Sequence, residues 1–192
     1  MYKVIHSGGA EGADHLFKIL AEQHGYIYMG YYYGEQSQYN APHGNIKITE
    51  ELYQEGRVKA AEAAKLNWGY QYPTVKDYRL ARNWAQIKFT DMVIAIGHIV
   101  DKGERVFPSL QNDKRLAVTP CVTGGTGYAV TMAILHNKPV YVYEQVLNQW
   151  CTYDYTDGWI TCDEPTLTDN FTGIGSRTIT QRAVEAITKL FK

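Results

Sequence analysis

Apolar and polar positions along this chain switch between a two-residue and a 3.6-residue period, and the switches predict its elements. Residues 3–6 read as a short strand. Residues 14–23 read as a helix with Leu16, Phe17, Ile19 and Leu20 on its apolar face. "GYIYMGYYYG" (25–34) reads as a second strand, and the Gly-, Asn- and Pro-rich stretch 34–47 as a loop. Thr49 is placed to cap a charged helix over 50–66 whose early acids suit the helix dipole. Helical spacing returns over 77–89 at Leu80, Trp84, Ile87 and Lys88. "DMVIAIGHIV" (91–100) is almost wholly apolar, as a central strand covered on both faces must be. A polar, mobile excursion is expected over 101–119, then a helix, a strand at 138–144, and a hairpin over 149–165 turning at Asp157-Gly158. A last strand and helix close the chain. This alternation predicts one α/β domain over residues 1–192: a doubly wound, mostly parallel Rossmann-like sheet with helices on both faces and a late β-hairpin.

Three transitions from an apolar run into a helix pass through glycine: "HSGGAEGAD", "CVTGGTGYAV" and "FTGIGSR". In an open α/β sheet, ligands bind beyond the carboxyl ends of the strands where the strand order reverses. A strand-to-helix turn there presents free N–H groups and the positive end of the helix dipole, which attract phosphate. The first turn offers Ser7, Gly8, Gly9 and Gly12 with Asp14 just inside the helix. The second offers Thr123, Gly124, Gly125, Thr126 and Gly127; the third offers Gly173, Gly175, Ser176 and Arg177. One such turn alone is often only a tight connection. Three on one sheet edge would make a single pocket with several phosphate or ribose subsites. None fits GxxxxGK[ST], and neither "GGAEG" nor "GGTG" has GxGxxG spacing, so P-loop and dinucleotide-fingerprint chemistry are disfavoured.

Composition narrows the partners. Nineteen Lys and Arg against twenty Asp and Glu give a net charge of −1, which gives no electrostatic reason to expect nucleic acid. No apolar run approaches the ~20 residues of a membrane span, and no secretory leader is read. Three cysteines without CxxC spacing (Cys121, Cys151, Cys162) argue against a disulfide framework or zinc site and fit a reducing cytoplasm. His15, His24, His43 and His136 are scattered without ligand spacing, so no zinc site and no metal is expected, although a magnesium ion bridging ligand phosphates stays open; no cofactor is expected. Sixteen tyrosines are a heavy load. Tyr31, Tyr32 and Tyr33 are expected to serve core or interface, and Trp150, Tyr153, Tyr155 and Trp159 a partner chain or a lid over the pocket.

"SGGAEGAD", "RNWAQIKFTDMVIAIG" and "GGTGYAVTMAILHNKPVYVY" together resemble the SLOG superfamily, the Rossmann-like group that includes the cytokinin-activating LOG enzymes and the single-strand DNA binder DprA. The likeness is nearest to circularly permuted YpsA-like proteins of phages and bacteria. It covers most of the chain, least well 34–75 and 101–119. In many relatives the GSR-type strand precedes the SGGA-type turn; here "FTGIGSR" comes last, so the third unit looks like a relocated first one. The resemblance implies a nucleotide-ligand pocket. Ser7, Gly8, Gly9 and Asp14 would line it from the first turn, Arg82, Asn83 and Gly97 from the middle of the chain, Gly124, Gly125 and Thr126 from the second turn, and Gly175, Ser176 and Arg177 from the third.

The resemblance also implies what is missing. LOG enzymes carry a PGGxGTxxE-type motif whose glutamate assists N-glycosidic cleavage. This chain reads "TGGTGYAVTMA", with Val130 and Thr131 at the acidic positions. That departure favours binding without catalysis over a LOG-like N-glycosidase or phosphoribohydrolase, unless Asp14, Glu11 or Asp91 substitutes. The expected role is capture of a nucleotide-derived small molecule by a homodimer, in a phage setting a sponge for an immune signal. DprA-like DNA binding is the further alternative. Asp91 could equally cap a turn, and His6 and His98, each ending a strand, could be packed or solvated residues.

Overall fold

The computed structural model describes residues 2–35, 44–69, 77–108 and 110–192; most of the expected 34–47 loop lies outside them. The elements run β1 (Lys3–Ser7), α1 (Ala13–Gln23), β2 (Tyr26–Tyr32), β3 (Ile46–Lys47), α2 (Glu50–Trp68), α3 (Tyr78–Ala81), α4 (Asn83–Lys88) and β4 (Met92–Gly97). They continue β5 (Ile99–Val100), β6 (Cys121–Val122), α5 (Gly124–Leu135), β7 (Val140–Glu144), β8 (Gln149–Asp154), β9 (Gly158–Thr161), β10 (Asn170–Gly175) and α6 (Gln181–Lys189).

Eight strands form one sheet in the order β3-β2-β1-β10-β4-β7-β8-β9. β3 through β7 are parallel, and β8 and β9 extend that edge as an antiparallel hairpin. From β1 the chain steps outward to β2 and β3. It then re-enters on the other side of β1, leaving a slot that β10, the last strand, fills. The strand order reverses at that slot, so the switch point lies at the carboxyl ends of β1, β10 and β4.

Two helical layers cover the sheet. On one face α1 and α6 pack Phe17, Ala183 and Ile187 against Ile5, Ile94, Ile96 and Phe171. Phe171 is fully buried and meets Phe17, Tyr26 and Phe191 edge-on or tilted, a burial that contributes roughly 2–3 kcal/mol. On the other face α2, α4 and α5 close over Val93, Ala95, Val140 and Val142. All six residues of β4 are buried, which accounts for its unbroken apolar run. α2 starts where expected: the Thr49 side chain accepts the Leu52 N–H, and Gly69 ends the helix in the left-handed region at φ 73°.

The structure corrects four local expectations. The 77–89 helix is two pieces broken at Arg82. The 91–100 strand stops at Gly97, and Ile99–Val100 pairs instead with Cys121–Val122 in a separate two-stranded ladder. The second glycine turn therefore does not follow a strand of the main sheet. The 101–119 excursion is anchored, because Val106 and Ala117 are buried in the core and Arg105 bridges to Leu116. Among the described residues no helix is long and apolar enough to cross a membrane.

Candidate functional site

The first and third glycine turns are locked together. Gly12 holds φ 90°, and the Ala13 N–H that follows it donates to the Ser176 carbonyl at 3.1 Å. A side chain at Gly12 would overlap the Ser176 and Arg177 carbonyl oxygens, so only glycine permits this approach. From the first turn of α1, Asp14 Oδ1 accepts the Gly175 N–H at 2.8 Å, and Oδ2 accepts the Ala10 N–H at 3.4 Å. Ser176 N–H donates to Ile96 O at 2.9 Å, which fastens the third turn to β4.

Arg82 reaches the same place from the opposite helical layer. The break between α3 and α4 turns it inward, where it is buried and donates from Nη1 to the Tyr31 carbonyl at 3.0 Å. A Cβ added to Gly8 would lie 2.7 Å from Asp14 Oδ2 and 3.3 Å from both Arg82 Nη2 and Gln86 Nε2. Carboxylate, guanidinium and amide thus converge on the turn, and a bare glycine is what lets them close in. Burial raises the Asp14 carboxyl to about 6, against hydrogen bonds and the Arg82 charge that act to lower it. Burial likewise lowers the Arg82 guanidinium and pushes the Tyr28 hydroxyl up, with the Asp14 charge adding to the latter. Both partners are displaced toward neutrality, so their attraction does not offset desolvation. Asp14 and Arg82 form no direct ion pair.

Four buried polar atoms in this quarter have no hydrogen-bond partner: Ser7 Oγ, Tyr28 Oη, Arg82 Nε and Gln86 Oε1. Buried polar atoms are rarely left unpaired, and each costs about 1–3 kcal/mol. These four lie at the carboxyl edge beside Asp14 and Gly8, where a polar group could satisfy them.

The second turn joins through Asn83. Its Nδ2 donates to Gly125 O at 3.3 Å, and its Oδ1 accepts from Gln86 Nε2 at 3.4 Å. The Thr123 N–H donates to His98 O at 2.9 Å, which draws the N-terminus of α5 to the end of β4. Gly124, at φ 69°, faces open space, and the Thr123 side chain does not cap the helix. The Gly124 N–H donates to Val106 O at 3.0 Å, and the exposed Arg177 guanidinium is a donor suited to phosphate oxygens.

Gly8, Asp14, Gly175 and Ser176 lie together with Arg82, and Asn83 links them to Gly125; two other glycines differ in role. Gly173 lies inside β10 against the Phe17 ring, and Gly97 lies against Val122; both permit packing rather than form a cradle. Asp91 is exposed at the amino end of β4, the end of the sheet away from the switch point, and cannot replace a missing carboxylate there. His6 is a packed residue: Nδ1 meets Tyr31 Oη and Nε2 meets Asn170 Oδ1, both at 2.8 Å. Tyr31 is core, whereas Tyr33 stacks on Tyr53 and donates to Glu50. The late hairpin is no lid. Trp150 is buried, Trp159 Nε1 donates to Pro120 O at 3.2 Å, and Tyr155 donates to Ile134 O at 2.8 Å, at the end of α5 away from its glycines.

Sequence reasoning passed over Tyr28, Gln86 and Glu144. Gln86 carried a signal, being four residues after Arg82 as one of the few polar positions among apolar ones. Among the described residues no group of three or more His, Cys, Asp or Glu side chains is placed to hold a metal ion. Comparison with family models, with curated proteins and with solved structures returned no match for this chain.

Proposed function

We propose that this chain is a SLOG-like binding protein that captures a nucleotide-derived small molecule at the carboxyl edge and does not cleave it. The ligand is of the ADP-ribose or cyclic-nucleotide type, with phosphates at the second and third turns and a polar, hydroxyl-bearing part beside Asp14 and Arg82. One observation carries this reading: the Asp14–Gly175 bond and the Ala13–Ser176 bond fuse two glycine turns into one cradle at the switch point. The unpartnered polar atoms around Gly8 support it.

Capture is favoured over N-glycosidic cleavage by the second turn. Val130 is fully buried, and the Thr131 hydroxyl is spent on Asn67 Oδ1 at 2.8 Å. Neither can stabilise an oxocarbenium-like centre. DNA binding is disfavoured by the net charge of −1. A cytoplasmic homodimer acting as a sponge for an immune signal is the biological form we propose.

The test is a thermal-shift panel of ADP-ribose, cyclic mononucleotides and cyclic dinucleotides. A ligand present at a hundred times its Kd adds about 2.7 kcal/mol to stability. At least one compound is expected to raise the melting temperature by several degrees, and a panel without any shift would contradict the reading.

A further inference from the structure

The capture reading leaves one feature of the edge unused. Glu144, the last residue of β7, is buried, and the sheet register sets it beside Gly97 at the end of β4. Its Oε2 accepts the Leu147 N–H and its Oε1 meets His98 Nδ1, both at 2.5 Å. Both carboxylate oxygens are therefore acceptors, and the ring proton of His98 belongs on Nδ1. In that neutral tautomer the other ring nitrogen, Nε2, is an acceptor. The imidazole is held by a buried group, yet its side chain is 40 % exposed.

Its position is as telling as its chemistry. The His98 carbonyl anchors Thr123 at the N-terminus of α5. On its other side, Gln145 N–H donates to Gly97 O at 3.0 Å, and the Gln145 side chain binds Thr178 O and the Thr180 N–H in the segment after the third turn. His98 is thus tied to the second turn through its carbonyl and, through Gly97 and Gln145, to the segment after the third.

We propose that His98 Nε2, oriented by Glu144, accepts a hydrogen bond from a ribose hydroxyl of the bound nucleotide, so that the site selects ribose over deoxyribose ligands. The inference rests on the capture reading and names the part of the ligand that the second subsite reads. Glu144 acts through His98 as a positioning residue. Fixed tautomers of this kind discriminate strongly, because a polar group that loses its hydroxyl partner is left unpaired within the complex.

The experiment is isothermal titration of the full chain with ADP, 2′-deoxy-ADP and 3′-deoxy-ADP, repeated with His98→Phe and His98→Gln; circular dichroism establishes that each variant is folded. Wild type is expected to bind ADP about tenfold or more tightly than one of the two deoxy analogues. His98→Phe should abolish that ratio by weakening ADP alone, and His98→Gln, which retains an acceptor, should restore part of it. Equal binding of all three by wild type, or an unchanged ratio in His98→Phe, overturns the ribose contact and leaves capture standing. A wild-type protein that binds none of the three counts against both.

Discussion

Asp14 on α1 accepts the backbone N–H of Gly175 at the end of β10, 2.8 Å away and across 161 positions of sequence. That bond joins the first glycine turn to the third and sets the shape of the candidate site. The carboxylate does so at a cost, because burial raises its pKa to about 6.

The cost gives a pH dependence with a definite sign. The folded-state pKa exceeds the unfolded value of 3.8, so this group's contribution is fully present below about pH 4 and is lost as pH rises through about 6. The loss is on the order of 2–3 kcal/mol. Urea midpoints of wild type and Asp14→Asn between pH 4 and 8 should show it. Asp14→Asn is expected to flatten the acid-to-neutral decline while weakening ligand capture.

Gly12→Ala should drive the two turns apart. It forces a methyl group against the Ser176 and Arg177 carbonyls at a φ of 90°. A loss of about 2–4 kcal/mol is expected on denaturant unfolding. A variant as stable as wild type would show that the turns do not need this contact.

Arg177→Ala separates binding from folding. The side chain is exposed, so stability should change by no more than about 0.5 kcal/mol. Capture of a phosphate-bearing compound should weaken by about ten- to a hundredfold, through loss of a charge-assisted contact worth ~1.5–3 kcal/mol.

Trp159→Phe tests the assignment of the hairpin. It removes the bond to Pro120 O and should cost roughly 1 kcal/mol in thermal unfolding. Ligand capture should be unaffected; a marked change in affinity would return the hairpin to the role of lid.

Much of this was legible in the sequence, for reasons that particular residues make plain. Met92–Gly97 announces a central strand because both its faces are covered, and the first and third glycine turns announce one sheet edge because parallel crossovers leave little choice, whereas the second follows the separate β5–β6 ladder. Arg82 was harder. The resemblance alone placed it in the pocket, because neither glycine nor proline marks the break between Tyr78–Ala81 and Asn83–Lys88 that the structure shows there. Glu144 was illegible, since an acid at the end of "VYVYE" looks like an ordinary strand terminus. Only the register of β4 against β7 sets it beside Gly97 and makes His98 a held imidazole rather than a loose one. The hairpin misled for a related reason. Its aromatic alternation signals a surface to be covered, and the chain's own core covers it through Trp150 and Trp159.

The most direct measurement is a mass balance on a nucleotide panel that includes ADP-ribose derivatives and cyclic dinucleotides. Each compound is incubated with excess protein and filtered, the retained protein is heat-denatured, and both fractions are analysed by chromatography and mass spectrometry. The capture account predicts a compound that disappears from the filtrate and returns intact after denaturation, and that Arg177→Ala retains less of it. A compound returned as free base and sugar phosphate, or a panel from which nothing is retained, would contradict it.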